Sequence, residues 1–170
     1  MSIKPTLWIS RKLPTAVVER AAKSFEVLQF EDDVPRSSET VIEMSGKAEG
    51  FLACNSEKFT ADVVLQLDPR LKIIANYSVG YDHCDVPALT AHGITVTNTP
   101  EVLSEATAET AMLLLLGAAR RAVEGDKLVR TGQWDSWSPS FMVGKQVSGA
   151  RLGIVGMGRI GQVMARMARG

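Results

Sequence analysis

The amino-acid sequence predicts an α/β protein built on a doubly wound parallel sheet. The first observation is that short apolar strand segments alternate with short helical segments, which fits five strands and the four helices between them into the first hundred residues. The second is a short apolar run near residue 152 that leads through closely spaced glycines into an amphipathic helix. Strands that alternate with helices pair in parallel, since each helix carries the chain back across the sheet.

The predicted strands of the first hundred residues are short and rich in apolar residues. They are Thr6–Ser10, Glu26–Phe30, Gly50–Cys54, Lys72–Tyr77 and Ile94–Thr97. Residues with strong terminal preferences bound two of the predicted helices: Pro14 opens the first, Asp85 caps the fourth, and Gly93 ends the fourth. In chain order these helices run from Pro14 to about Ser24, from Glu39 to Lys47, from Thr60 to Leu67 and from Asp85 to His92.

Residues 101–132 predict one long helix, because helix-forming residues continue throughout this stretch. Its middle, Met112–Leu116, is apolar on every side, so we expect it to be buried between domains or between subunits. The next segment, residues 133–139, is predicted to be a loop and contains Trp134 and Trp137, two of the three tryptophans. Because exposed tryptophan is unusual, we expect this loop to pack against another surface.

Composition excludes several classes of function. Lys+Arg and Asp+Glu number 19 each, so the chain carries no overall charge that would favour nucleic acid or an anionic membrane. Cys54 and Cys84 form no C-x-x-C pair, which argues against a disulfide scaffold and against a zinc site. The longest apolar run, Ala111–Ala119, is far shorter than the roughly twenty residues that span a bilayer. Because Met1–Pro5 also lacks the apolar core of a signal peptide, we expect a soluble, cytoplasmic protein.

Three glycines form a G-x-G-x-x-G pattern between a predicted strand and a predicted helix. The strand is Leu152–Val155, and the glycines are Gly156, Gly158 and Gly161. The helix presents one apolar face, formed by Ile160, Val163, Met164, Met167 and Ala168. In this context the pattern predicts a dinucleotide site: the first glycine permits the turn, the second lets the backbone approach a pyrophosphate, and the third lets helix and strand pack closely. The alternative is a glycine-rich connection that binds nothing.

A second candidate site is the loop Ser78–Asp82, which leaves the carboxyl end of a predicted strand. Open α/β sheets bind ligands at this edge, and Gly80 offers a backbone amide that no side chain shields. Consecutive amides in such a turn can form a nest for an anion. The loop Cys54–Glu57, which includes Asn55, follows its own strand in the same way. The alternative is a plain strand-to-helix connection in which Gly80 is needed for its backbone dihedral angles.

The two histidines, His83 and His92, are the only imidazoles available for acid–base chemistry. His92 lies at a predicted helix end, where a cation complements the helix dipole, so we expect a structural role for it. His83 follows a strand, which is a better position for chemistry, but no carboxylate partner can be assigned to it.

Four motifs follow one another in a recognisable order. The first is Asn76–Asp85 and the second is Gly93–Pro100. The third is Ala106–Glu109, which leads to Arg120 and Arg121. The fourth is Arg130–Trp134 with Trp137 and Pro139, and it is followed by Gly153–Gly161. With this order and spacing the chain resembles the D-isomer-specific 2-hydroxyacid dehydrogenases, and the tryptophan-containing motif is most similar to the glyoxylate/hydroxypyruvate reductase branch. The resemblance implies a flavodoxin-like substrate domain at residues 1–98. Residues 99–170 would then hold a crossover helix, the tryptophan loop and the first βα unit of an incomplete Rossmann domain.

The resemblance also implies roles for individual residues. The amides of Val79 and Gly80 would bind the substrate carboxylate, and Trp137 would reach the active site of a partner subunit. The full set of candidate substrate-binding residues, to which the strand-end argument adds Asn55, is Ser78, Val79, Gly80, Asn55 and Trp137. Thr107 would lie near the nicotinamide and Arg159 and Ile160 would hold the pyrophosphate, so the candidate cofactor-binding residues are Thr107, Gly156, Gly158, Arg159, Ile160 and Gly161.

The implied activity is reduction of glyoxylate, hydroxypyruvate or a similar 2-oxo acid with NAD or NADP, in a homodimer that associates through the helix at residues 101–121. The residue that selects NAD or NADP lies about twenty residues beyond the first glycine, so the choice cannot be read from this sequence. The family's Arg, Glu and His also come from a later part of the nucleotide domain. We therefore assign no catalytic residue here and expect the 170 residues alone to be inactive.

Two other functions remain open. One is a non-catalytic module that dimerises or binds small acids. The other is a family member with a different substrate, such as phosphoglycerate, formate or phosphite.

Overall fold

The computed structural model describes residues 4–169, which form two compact units that divide between Pro100 and Glu101. The strands of the first unit are β1 (Thr6–Ile9), β2 (Glu26–Gln29), β3 (Gly50–Ala53), β4 (Ile73–Asn76) and β5 (Thr95–Thr97). Neighbouring strands all pair in parallel, in the order β2-β1-β3-β4-β5. This confirms the predicted doubly wound parallel sheet, and the strand order is the flavodoxin-like one that the resemblance implied.

Helices connect these strands close to the predicted positions. They are α1 (Thr15–Ala22), α2 (Ser38–Ser45), α3 (Ala61–Val64) and α4 (Val86–Ala91). The predicted cap at Asp85 is confirmed, because its side chain accepts a hydrogen bond from the Ala88 N–H at 3.0 Å, and Gly93 follows α4 with φ +79°. Pro14 precedes α1 as its cap residue rather than lying in its first turn. The predicted helix Thr60–Leu67 is α-helical only over α3, because the chain then tightens into i→i+3 hydrogen bonds.

A row of apolar side chains in matching register forms the centre of the first unit. Trp8 pairs with Phe51, Phe51 with Ile74, and Ile74 with Val96. The rings of Trp8 and Phe51 meet edge to face with centroids 4.6 Å apart, and Trp8, Phe51 and Ile74 are buried. A slip of one residue would turn this row to the opposite face of the sheet, so the row fixes the strand register. It thereby aligns the carboxyl ends of β1, β3 and β4, where the candidate loops begin.

The second unit is helical in its described part. Its helices are α5 (Ser104–Ala119), α6 (Ala122–Arg130) and α7 (Arg159–Arg169). The prediction of one helix over residues 101–132 is wrong, because the chain turns at Arg121, which adopts φ +56°. The Ala119 carbonyl oxygen accepts a hydrogen bond from the Lys145 N–H at 2.7 Å, and a Cβ on Gly144 would lie 2.6 Å from that oxygen. A segment distant in sequence therefore ends α5, which helix propensity alone does not indicate.

The predicted strand Leu152–Val155 does not form. Residues 101–169 contain no strand that could pair with it, and Val155 is fully exposed. Helix α7 does form as predicted, and its Val163 and Met164 are buried in a small apolar cluster with Ala108 of α5. Across residues 4–169, no helix combines the length and apolar character needed to cross a membrane.

Candidate functional site

The loop that follows β4 is held by hydrogen bonds that leave two of its amides free. The Asn98 side-chain amide donates to the Val79 carbonyl oxygen at 2.9 Å, and the Thr99 N–H donates to the Ser78 carbonyl oxygen at 3.0 Å. The Ser78 hydroxyl donates to the Gly80 carbonyl oxygen at 2.6 Å. All three bonds use carbonyl acceptors, and within residues 4–169 the N–H groups of Val79 and Gly80 donate to no other residue. Two successive N–H donors are therefore available to an anion at the carboxyl edge of the sheet.

Gly80 is not required by backbone conformation. Its φ lies outside the left-handed region, and a Cβ placed on it would meet only the Asp82 Oδ2 atom, at the ordinary contact distance of 3.7 Å. The interpretation that Gly80 is needed for its dihedral angles is therefore wrong. What glycine still provides here is an amide that no side chain shields.

The loop after β3 contains Asn55 and is organised by a buried carboxylate, Glu57. The Glu57 side chain has no exposed surface and accepts hydrogen bonds from the Ser10 hydroxyl at 2.7 Å, the Ser56 hydroxyl at 2.8 Å and the Cys54 N–H at 2.9 Å. Burial raises the pKa of the Glu57 carboxyl, but these donors together outweigh burial and hold the pKa below its ordinary value. Glu57 is therefore ionised at neutral pH.

Asn55 and the Ser78–Gly80 loop emerge from neighbouring strands at the same edge of the sheet. Ala53 and Asn76, the last residues of β3 and β4, are paired in the ladder. The Tyr77 N–H continues that pairing with a hydrogen bond to the Ala53 carbonyl oxygen at 2.7 Å. The structure thus brings together the candidate residues that come from these two loops.

Two arginines near the carboxyl end of β1 are already neutralised. The Arg11 Nη1 atom donates to the Ser56 hydroxyl oxygen at 3.1 Å, and its Nε atom donates to Asp33 at 2.9 Å. The Arg36 side chain, which is largely buried, forms an ion pair with Asp32. Because each guanidinium has an aspartate partner, the free anion-binding groups described at this edge are backbone amides rather than these arginines.

Both histidines are engaged in contacts within the first unit. The His92 Nε2 atom lies 2.9 Å from the Leu67 carbonyl oxygen, in keeping with a structural role at the end of α4. The His83 Nε2 atom lies 2.9 Å from the Asn76 Oδ1 atom. Burial, together with the positive charge of Lys58, lowers the pKa of His83, so this ring is predominantly neutral at neutral pH.

The three patterned glycines of the second unit lie in three different environments. Gly156 adopts φ +92°, in the left-handed region. Gly161 packs so closely that a Cβ on it would lie 2.2 Å from the Gly156 carbonyl oxygen. Gly158 has open space around it, because no atom lies within 4 Å of the position a Cβ would take. A tight turn, a close helix contact and room for a ligand are the environments that the predicted roles require.

The helix that follows this turn presents free amides at its first residues. The first hydrogen bond at the start of α7 runs from the Gln162 N–H to the Gly158 carbonyl oxygen at 3.0 Å. The N–H groups of Arg159 and Ile160 precede that bond and have no partner within the helix. They lie at the positive end of the dipole of an eleven-residue helix, where a phosphate is stabilised.

A comparison with known proteins identifies the family that combines these features. The family model described as the D-isomer specific 2-hydroxyacid dehydrogenase catalytic domain matches residues 7–166. The chain belongs to this dehydrogenase family.

Individual members of the D-isomer-specific 2-hydroxyacid dehydrogenase family match nearly the whole chain. Glyoxylate reductase from Thermococcus onnurineus is 43% identical over 99% of this chain and 51% of its own length. A solved structure from Polaromonas sp. JS6 66 is described as an NAD-binding D-isomer-specific 2-hydroxyacid dehydrogenase. It is 40% identical to this chain with a TM-score of 0.89, and the match covers 98% of this chain and 52% of the Polaromonas chain. Another solved structure is the NADPH-dependent glyoxylate/hydroxypyruvate reductase of Sinorhizobium meliloti in complex with NADP and malonate. It is 32% identical to this chain with a TM-score of 0.75, and the match covers 98% of this chain and 50% of the reductase chain. This dehydrogenase-family chain spans about half the length of the relatives it matches.

The remaining candidate residues, Thr107 and Trp137, are exposed in the second unit. Thr107 is exposed near the start of α5. Trp137 is 76% exposed, and Trp134 is also exposed, so the expected packing of the tryptophan loop is not found in the described part of this unit.

Sequence reasoning missed the network around Glu57. Its partner Ser10 lies 47 positions earlier in the sequence, and only the pairing of β1 with β3 brings the two side chains together. The available signal was a carboxylate directly after a buried strand, flanked by small polar residues. That pattern is also common in solvated loops, so it does not by itself predict burial.

Proposed function

We propose that this chain binds the carboxylate of a small 2-oxo or 2-hydroxy acid at Ser78, Val79 and Gly80, for the NAD(P)-dependent reduction of glyoxylate or hydroxypyruvate. The observation that carries the proposal is the pair of free N–H groups at Val79 and Gly80, where glycine has no conformational explanation. Asn55 contributes a side-chain amide at the same edge of the sheet. The relatives named glyoxylate reductase and glyoxylate/hydroxypyruvate reductase support this substrate class.

In this reaction class a nicotinamide cofactor, when bound, supplies the hydride. The part played by this chain's first unit is to hold one end of the acid. Two N–H donors on one carboxylate fix the position and the orientation of the carbon next to it, which limits the geometries that the reacting carbonyl can adopt. Because the loop is already held by Asn98 and Thr99, little ordering is needed when the acid binds.

The glycine turn of the second unit supports binding of the NAD or NADP pyrophosphate. The open space at Gly158 allows the backbone to approach the phosphates, and the Arg159 and Ile160 amides would hold them. Thr107 would lie toward the nicotinamide end, as the family pattern implies. We expect the 170 residues to bind NADPH or NADH only weakly, and we expect Gly158→Val to weaken that binding further without unfolding α7. Tryptophan-quenching titration and circular dichroism measure the two effects.

We expect no turnover from the 170 residues alone, because both histidines are already engaged and neither is paired with a carboxylate within the described residues. The test is NADPH- or NADH-dependent reduction of glyoxylate by the purified chain. Measurable turnover would contradict this expectation.

We also propose that residues 1–98 form the substrate domain, that residues 99–170 form the crossover helix and the start of the nucleotide domain, and that the protein is a cytoplasmic homodimer. Leu113 and Leu114 are 69% and 67% exposed in the second unit, so α5 presents an apolar surface that favours association. In such a dimer Trp137 would reach the partner's active site.

The same exposed surface of α5 also favours the second candidate function, a non-catalytic dimerisation module. Gel filtration combined with a cofactor titration separates the two, since the module would dimerise and bind its ligand without any chemistry.

The substrate-binding proposal is tested by comparing Gly80→Ala with Gly50→Ala. An added Cβ at Gly80 meets only an ordinary contact, so we expect the fold to stay intact while the methyl group crowds the free amides. An added Cβ at Gly50 would lie 3.3 Å from both Ile73 and Leu7, which strains the sheet far from the loop.

The measurement is a titration of each purified chain with glycolate, followed by the NMR shifts of the Val79 and Gly80 amides. We expect Gly80→Ala to weaken binding by about tenfold, or 1.4 kcal/mol, with an unchanged Tm. Gly50→Ala should lower the Tm and leave the affinity unchanged. Wild-type amides that do not respond to glycolate, or a Gly80→Ala chain that binds as well as wild type, would contradict the proposal.

A further inference from the structure

We propose that Glu57 is a positioning residue for carboxylate binding, which acts by holding the Asn55 loop beside the Ser78–Gly80 loop. This inference rests on the function proposed above and adds a residue that never touches the substrate. The relevant feature is a carboxylate that is completely buried, ionised and bound to donors from three separate segments of the first unit.

The donors around Glu57 come from both sides of the point where the strand order reverses. The Ser10 hydroxyl reaches Glu57 from the end of β1, and the Cys54 N–H reaches it from the end of β3. The Arg36 N–H adds a longer contact of 3.4 Å from the segment before α2. In the order β2-β1-β3-β4-β5 the second strand lies on one side of β1 and the later strands lie on the other, so the strand order reverses between β1 and β3, and this is where flavodoxin-like sheets bind ligands. Glu57 therefore ties together the two strand ends that border the ligand edge.

The loop residue Ser56 is held on two sides. Its hydroxyl oxygen accepts a hydrogen bond from Arg11 at 3.1 Å, and the same hydroxyl donates to Glu57 at 2.8 Å. Asn55 thus lies between Cys54 and Ser56, both of which are bound to one carboxylate. Within residues 4–169 the N–H groups of Asn55 and Ser56 donate to no other residue. The loop is rigidly anchored while its outward donors stay free, which is the arrangement that pre-organised anion binding needs.

An uncharged side chain could not replace this carboxylate. Glu57 accepts every one of its hydrogen bonds, and its basic neighbours Arg11 and Arg36 pair with aspartates instead of with Glu57. A glutamine would place its NH₂ group, which is a donor, against the N–H and hydroxyl donors that now bind one carboxylate oxygen. At least one of those buried donors would then lack an acceptor. Burying a charge that has no ionic partner costs free energy, so an apolar side chain would stabilise the loop more if filling this space were its only task.

A purely structural role is the competing explanation, and Ser45 provides its control. Ser45 is as completely buried as Ser10, and its hydroxyl donates to the Ile42 carbonyl oxygen at 2.6 Å and accepts from the Asp68 N–H at 2.8 Å. It lies at the end of α2, before β3 begins, and so at the opposite edge of the sheet. Loss of the Ser45 hydroxyl should therefore cost stability without disturbing the ligand edge.

The test compares Glu57→Gln, Ser10→Ala, Ser10→Thr and Ser45→Ala in the purified 170-residue chain. Glycolate is the probe, and its Kd is read from the shifts of the Val79 and Gly80 amides, with Tm measured in parallel. We expect the Kd to rise about tenfold in Glu57→Gln and several-fold in Ser10→Ala, because small losses of alignment reduce binding strongly. Ser10→Thr, which keeps the hydroxyl, should restore the wild-type Kd. Ser45→Ala should lower the Tm as much as Ser10→Ala does, with an unchanged Kd.

The possible outcomes separate this inference from the proposed function. If wild-type amides do not respond to glycolate, the proposed function fails and this inference fails with it. If wild type binds glycolate and both Glu57→Gln and Ser10→Ala bind it equally well, Glu57 has only a structural role. If Glu57→Gln does not fold, the comparison of Ser10→Ala with Ser10→Thr and Ser45→Ala decides the question alone.

Discussion

The two units of this chain differ in how completely they bury their own apolar surface. In the first unit Trp8, Phe51 and Ile74 belong to one continuous core that includes side chains from every connecting helix except α1. In the second unit the buried cluster of the described residues consists of Ala108, Val163 and Met164. The first unit is thus stabilised by its own packing, whereas much of the apolar surface of the second has no partner within the described residues.

This difference follows from the kinds of elements in each unit. A helix satisfies its backbone hydrogen bonds within itself, so α5 and α7 form with only the small apolar cluster that they share as support. A strand needs a neighbour for its hydrogen bonds, and Leu152–Val155 has none within residues 101–169. The comparison teaches that the same apolar pattern becomes a strand in the first unit and an extended, unpaired segment in the second because only the first provides a partner.

The largest expected effect is on the core of the first unit. Phe51→Ala removes a ring that is fully buried against Trp8, and we expect a loss of about 3–5 kcal/mol in the free energy of unfolding of this unit. Met164→Ala in the second unit should cost less, because its neighbours are partly exposed and can close over the space. Urea titration followed by amide signals from each unit measures the two values separately. Equal losses would show that the second unit is packed as tightly as the first.

The next effect concerns the buried charge at the ligand edge of the first unit. The pKa of Glu57 is lower in the folded chain than in the unfolded chain, so its stabilisation is fully present above the unfolded pKa of about 4.3 and is lost as the pH falls through the folded pKa. Glu57→Gln should cost about 2–3 kcal/mol at pH 7, because hydrogen bonds to a charged group are lost and donors are left unpaired. This cost should shrink below pH 4 or so, where wild type also loses its charge. A cost that does not change between pH 7 and pH 3 in urea titrations would rule out this explanation.

A third effect compares two glycines within the second unit. Gly161→Ala places a methyl group 2.2 Å from the Gly156 carbonyl oxygen, so the start of α7 must move. We expect a loss of about 1–2 kcal/mol, near the lower end for overpacking, because the small core around α7 can shift. Gly158→Ala is the matched control, since it meets no atom within 4 Å and should leave stability unchanged. Hydrogen exchange of the α7 amides measures both, and equal protection in the two variants would contradict the close packing of Gly161.

The same comparison explains how far the sequence could predict this structure. Alternation of strands and helices predicts the sheet of the first unit, because each element there is supported by the neighbour that the pattern implies. The cap at Asp85 is likewise a local property, since its partner Ala88 lies three residues away. The break at Arg121 depends on Lys145, which reaches the end of α5 from a distant segment, and no local signal marks it.

The candidate site divides in the same way. The position of Gly80 after a strand end predicts that its amide lies at the ligand edge, because this follows from the direction of the strand. The role of Glu57 depends on Ser10, which only the folded sheet brings near. Predictions from the sequence therefore reach positions that strand direction or a local partner determines, such as Gly80, and miss those that depend on one particular distant side chain, such as Ser10.

The smallest expected effect on stability falls on the exposed surface of α5. Leu114 is 67% exposed in the second unit, so Leu114→Lys should change the free energy of unfolding by less than about 0.5 kcal/mol. If this surface forms the proposed homodimer interface, the same substitution should abolish association, because an unpaired lysine would be buried there. Leu65→Lys in the first unit is the matched control, since Leu65 is 76% exposed and lies outside the proposed interface. Analytical ultracentrifugation across a range of concentrations distinguishes the outcomes. A monomeric wild type, or a dimer that Leu65→Lys disrupts and Leu114→Lys does not, would show that the apolar surface of α5 does not mediate association.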